Sequence, residues 1–140
     1  MCQNPPIAWA MIQTLRSIVR EGELSPKGRL ALSQHRLEAL AHYLPPLVDL
    51  LRADEIQNSY LETDVEALPT VLERCLLNAM ACALRDPERS RRLLEQCLAP
   101  STVSRAEDLV TAMACELEER SCQRHRQIGV ARVAPPAWHH

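Results

Sequence analysis

The chain contains no phenylalanine, and aromatic residues make up only 3% of it, two Trp and two Tyr. A sheet interior rich in aromatic and β-branched side chains is therefore not what this composition builds. Three glycines in 140 residues leave little material for a phosphate-cradling loop, and no GxGxxG, P-loop, GxSxG or HExxH pattern occurs. An enzyme is not expected, and neither is a cofactor. The net charge is only −2, so no global field draws the chain toward nucleic acid or an anionic membrane. No apolar run approaches the roughly 18 residues of a membrane span. The opening MCQNPPIAWAMIQ lacks the positive region of a secretory signal. The six cysteines include no CxxC, which reads as reduced thiols in a cytoplasmic protein rather than a disulfide framework.

What is abundant is leucine and alanine, 21 and 17 residues, the leading helix formers. The expected fold is all-α: a single-domain bundle of five or six helices over residues 1–127, followed by an extended or disordered tail, 128–140. Ten prolines supply the punctuation. Asn4 with Pro5 and Pro6 opens a first helix whose apolar stripe is Ile7, Met11, Leu15 and Ile18, and Gly22 closes it. Ser25 with Pro26 opens a second, in which Leu30, Leu37, Leu40, Ala41 and Leu44 share a face until Pro45 and Pro46 stop it. Leu47 to Leu51 continue as a short helix. Residues 53–63 are polar, acidic and aperiodic, a loop. Residues 68–85 are apolar almost all round, the central hydrophobic helix, with Pro69 in its first turn. Asp86 with Pro87 begins a basic helix ending near Leu98. Ser104 and Glu107 form a capping box, SRAE, for a last helix to about Arg126.

One motif repeats: AMACAL at Ala79 to Leu84 returns as AMACEL at Ala112 to Leu117. Its cysteine falls outside the apolar stripe of the last helix, Ala106, Leu109, Val110, Met113 and Leu117. Small residues around an adaptable methionine let a neighbouring helix approach closely, so packing explains the motif without chemistry. The tetratricopeptide pattern is absent, and a non-repetitive bundle is the reading adopted over a solenoid.

Three pairs stand seven residues apart: His35 and His42, Cys75 and Cys82, Cys115 and Cys122. Seven residues is about 10.5 Å of helix, too far for two ligands of one zinc. Cys122 and His125 have a workable spacing, but two ligands are not a site, and no metal is expected. A phosphotransfer histidine occupies such a helix face beside a lysine and a glycine. The neighbours here are Gln34 and Arg36, or Ala41 and Tyr43, so that pattern fails.

The expected function is a small protein–protein interaction module: an adaptor, regulator, inhibitor or secretion-type chaperone, with another protein or a second copy as partner. The candidate surface comprises Trp9, Arg89, Arg92, Cys115, Cys122, Arg124 and Trp138, apolar or basic groups off the packing stripes. The alternative is a nucleic-acid-binding regulator using arginine clusters at 85–92 and 120–132. Against it, the first cluster is interleaved with Asp86, Glu88 and Glu95 at ion-pair spacing, and positive charge at a helix C-terminus is ordinary.

Overall fold

A computed structural model describes residues 5–54, 61–64 and 66–132, with side chains between residues 7 and 119 of that range. Among the described residues there are six α-helices and no strand. The elements are α1 (Pro5–Glu21), α2 (Pro26–Gln34), a 3₁₀ turn (Glu38–His42), α3 (Leu44–Ala53), α4 (Val71–Cys82), α5 (Pro87–Cys97) and α6 (Pro100–Arg132).

The stripe Ile7, Met11, Leu15 and Ile18 on α1 is buried and packs against α2 and α3. Gly22 takes φ +84° and donates its N–H to the Ile18 carbonyl at 2.8 Å, the left-handed closure that glycine adopts without steric cost. Asn4, the expected cap at the other end, lies outside the described residues. The Arg52 guanidinium from α3 reaches the carbonyls of Ile18 and Val19, placing positive charge on the last turn of α1. In α2, Ser25 Oγ accepts from the Gly28 N–H at 3.1 Å. A Cβ on Gly28 would stand 2.8 Å from Leu24 Cδ1, so this turn has no room for a larger residue unless Leu24 moves.

The second helix does not run on to Leu44. It ends at Gln34, because Arg36 enters the left-handed region at φ 58°. The Leu37 N–H bonds to the Leu32 carbonyl at 2.8 Å and the Arg36 N–H to that of Ser33 at 3.0 Å. This pair of bonds is a Schellman closure with arginine where glycine is usual. Leu32 and Leu37 are both buried, completing it. Leu30, expected on the apolar face, is 59% exposed, and Leu32 takes the core position. Pro45 and Pro46 begin α3 rather than ending α2: in a first turn, proline lacks only an N–H that would be unbonded anyway. Leu44, Leu47, Val48 and Leu51 then fill the core face of α3.

Helix α4 lies within the expected 68–85 but is capped by Thr70, with Pro69 before the cap. Thr70 Oγ1 accepts from the Glu73 N–H at 3.1 Å, and Glu73 Oε1 from the Thr70 N–H at 2.9 Å, a capping box. Leu72, Cys75, Leu76, Ala79 and Met80 are buried as α4 packs against α5 and α6. Asp86 caps α5 as expected, its Oδ1 accepting from the Arg89 N–H at 3.1 Å. Ser90 Oγ donates to the Ala79 carbonyl at 2.8 Å, joining α5 to α4.

The last helix starts at Pro100, four residues before the expected cap, and Ser104 sits exposed within it. Its start is capped from a distance: the buried Asp54, just beyond α3, accepts the Ala99 N–H on Oδ2 at 2.9 Å. Val103, Ala106, Val110, Met113 and Ala114 are buried, facing α3, α4, α5 and the 3₁₀ turn. At 33 residues, α6 is about 50 Å long. It continues through residues 128–132, assigned from sequence to the tail; residues 133–140 lie outside the described range.

Candidate functional site

The most concentrated polar chemistry surrounds Arg16, a residue the sequence reading did not single out. Its side chain is 0% exposed. Nε donates to Glu73 Oε2 at 2.8 Å and Nη2 to Glu73 Oε1 at 2.6 Å, a two-pronged ion pair between α1 and α4. Nη1 donates to the carbonyls of Asp64 and Ala67 at 2.8 and 2.6 Å, and Nη2 to that of Leu68 at 2.9 Å. All five guanidinium N–H groups are thus bonded. The hydrogen bonds that Arg16 donates to Glu73 raise its pKa above the ordinary value despite the opposing effect of burial.

Trp9, two turns earlier on α1, presents its ring to this guanidinium, with Cζ 5.5 Å from the centroid. The surplus apolar surface at Trp9 therefore has a use inside the chain. A sequence signal existed: Trp9, Ile12 and Arg16 follow i, i+3, i+7 spacing, a second face of α1 away from the stripe Ile7, Met11, Leu15 and Ile18. On that face Arg16 meets the backbone of Asp64, Ala67 and Leu68. These contacts are to backbone carbonyls, which no side-chain pattern advertises.

Of the pairs seven residues apart, the two histidines fall on different elements. His35 ends α2 and His42 lies in the 3₁₀ turn, so they do not share one helix face. Among the described residues no group of three or more His, Cys, Asp or Glu is arranged to hold a metal. Cys75 and Cys97 are buried, and Cys75 Sγ donates to the Leu93 carbonyl at 2.8 Å. Burial first, then hydrogen bonding with Cys97, pushes the Cys75 thiol up to about 12, which keeps it protonated and poorly nucleophilic at neutral pH. The repeated motif shares only its methionine environment. Met80 and Met113 are both core, whereas Cys82 is half-buried and Cys115 exposed.

Of the candidate surface, Trp9 is half-buried, and Arg89, Arg92 and Cys115 are exposed. The side chains of Cys122, Arg124 and Trp138 lie outside the described residues. Arg91, between the two exposed arginines, faces Glu95 at 3.7 Å and Glu107 at 3.6 Å, so part of the first basic cluster is neutralised within the fold.

A different surface forms a concave site. Pro46, Asp49, Leu50 and Ala53 of α3, with Arg105, Asp108 and Leu109 of α6, line a groove of about 480 Å³. Leu50 and Leu109 are half-buried against the core and form its apolar part. Asp49, Arg105 and Asp108 are exposed and make no ion pair among the described residues. A second crevice, between α1, α3 and α4 beside Met11, Leu77 and Met80, has about 20 Å³ of space, room for little more than one water.

No protein family, curated protein or solved structure matches the chain.

Proposed function

We propose that the chain is a protein-binding module that receives an amphipathic helix of a partner protein in the α3–α6 groove and performs no chemistry of its own. The supporting observation is the groove's periodicity. On α3 its lining recurs at i, i+3, i+4 and i+7, and on α6 at i, i+3 and i+4, so two parallel rows of side chains offer a track for a third helix. Leu50 and Leu109 supply the apolar contact. Asp49, Arg105 and Asp108 supply charges that a partner's rim would pair, setting its orientation.

The test uses substitutions at exposed lining positions, where folding is least disturbed. Ala53→Arg fills the groove and Asp108→Lys inverts its charge. Affinity capture of the full chain from its native host, read by quantitative mass spectrometry, is expected to lose a specific partner with each substitution while the thermal unfolding curve stays in place. A capture profile identical for the wild-type and both variant chains refutes the groove as the docking site.

A further inference from the structure

We infer that Leu68 and Val71 form a second docking surface, for a partner protein that offers an apolar socket rimmed by lysine or arginine. These two side chains are 86% and 69% exposed, the highest values among the exposed large apolar residues described. They stand three residues apart at the entrance to α4, and neither lines the α3–α6 groove.

The exposure is built in. Arg16 holds the carbonyls of Asp64, Ala67 and Leu68 inward, Pro69 fixes the next φ, and Thr70 anchors the following residue through its capping box. Turning Leu68 toward the core would sacrifice contacts of a buried guanidinium. The fold thus fixes the backbone that carries an apolar side chain in water, which removes the backbone part of the ordering cost of binding.

The flanking charge selects the partner. Glu62, Asp64 and Glu66 precede the apolar pair, and none makes an ion pair among the described residues. Glu62 and Asp64 act electrostatically on Arg16, but that cation is already paired with Glu73. The negative charge therefore remains to be complemented from outside, by a basic rim around the socket that takes Leu68. An anionic membrane is disfavoured by the same charges. With the groove on α3 and α6, this surface gives the chain two separate contacts and makes it an adaptor bridging two proteins.

The experiment places p-benzoylphenylalanine at position 71 of the full chain in its native host, irradiates, and identifies the cross-linked protein and its contact site. The expected product is one other protein, joined beside an apolar site flanked by Lys or Arg. Leu68→Ser should lower the yield at least about tenfold, as an anchor residue does, with the unfolding curve unchanged. Rising salt should lower it as well, and the combined Glu62→Gln, Asp64→Asn and Glu66→Gln chain should lose that salt dependence. Leu30→Ser, at another exposed leucine, and Ala53→Arg, in the groove, should leave the yield intact. Absence of a cross-link, cross-linking to a second copy of this chain, insensitivity to Leu68→Ser, or loss caused by Ala53→Arg would each overturn the inference. Only the last compares this surface with the groove, so the groove reading can fail in its own assay while this one stands.

Discussion

Replacing Arg16 with methionine removes half of a buried ion pair while keeping a side chain of similar length. The losses can be counted from the geometry. Glu73 stays buried and forfeits two charge-assisted hydrogen bonds, and the carbonyls of Asp64, Ala67 and Leu68 lose their guanidinium donors. Breaking a buried pair from one side costs about 3–5 kcal/mol, a large share of the ~5–15 kcal/mol that holds a domain together. Urea unfolding followed by circular dichroism should show this as a lower midpoint at nearly constant slope. Glu73→Leu alone should cost a similar amount, because it strands the cation instead. In the double variant neither charge is left without its partner. Its total cost should fall short of the two single costs by about 2–3 kcal/mol, within the range for directly coupled residues. It should not return to wild type, since the three carbonyls and the Thr70 N–H still lack partners. The difference should persist in high salt, which screens a buried pair weakly. An Arg16→Met chain within about 1 kcal/mol of wild type, against this 3–5 kcal/mol expectation, or strictly additive costs, would refute the account.

Asp54→Ala should cost about 1–2 kcal/mol by uncapping α6, whereas Ser104→Ala, at the exposed position expected from sequence to be the cap, should stay within about 0.5 kcal/mol in the same unfolding assay. Arg36→Gly should stabilise by about 0.5–1 kcal/mol, relieving the left-handed conformation, and a lower melting temperature would count against the Schellman closure. Folded Cys75 holds its proton up to about 12, while an unfolded thiol releases it near pH 8.5. In that interval the folded state binds more protons, so stability falls as pH rises, and Cys75→Ala should flatten this alkaline decline; below pH 8 the thiol has no pH-linked effect. For the nucleic-acid alternative, fluorescence anisotropy with duplex DNA and single-stranded RNA should show no binding at low salt, and a steep salt-dependent signal lost in Arg89→Glu with Arg92→Glu would replace the protein-binding reading.

The parts of the fold legible in the sequence are those whose cause lies within a few residues. The α1 stripe, the Gly22 closure, the Ser25 and Asp86 caps and the buried face of α6 all follow from local chemistry and helical spacing. The break after Gln34 was obscured because its left-handed position is filled by Arg36 and not by glycine. A sign of it was nevertheless present: Ser33 and Gln34 occupy the turn that separates Leu30 from Leu37, leaving the presumed stripe without an apolar member there. Pro45 and Pro46 are ambiguous in sequence, since the same pair can stop one helix or start the next. The cap on α6 and the Arg16 network were illegible for a different reason. Asp54 reaches Ala99 and Arg16 reaches Asp64 to Glu73, and such pairings across the chain leave no periodicity.

Those two long-range contacts stand at the two ends of the connection from α3 to α4. Asp54 ties its beginning to the start of α6, and Arg16 ties its end to the middle of α1. A connection that served only as a spacer would need neither anchor, because lengthening a flexible loop costs little. The buried polar side chains instead fix both ends of the connection, with Leu68 left exposed. Core cohesion accounts for the leucine faces of the helices, but it does not account for a buried arginine holding the backbone of an exposed leucine. That arrangement becomes intelligible if Leu68 is used by another molecule, as proposed above.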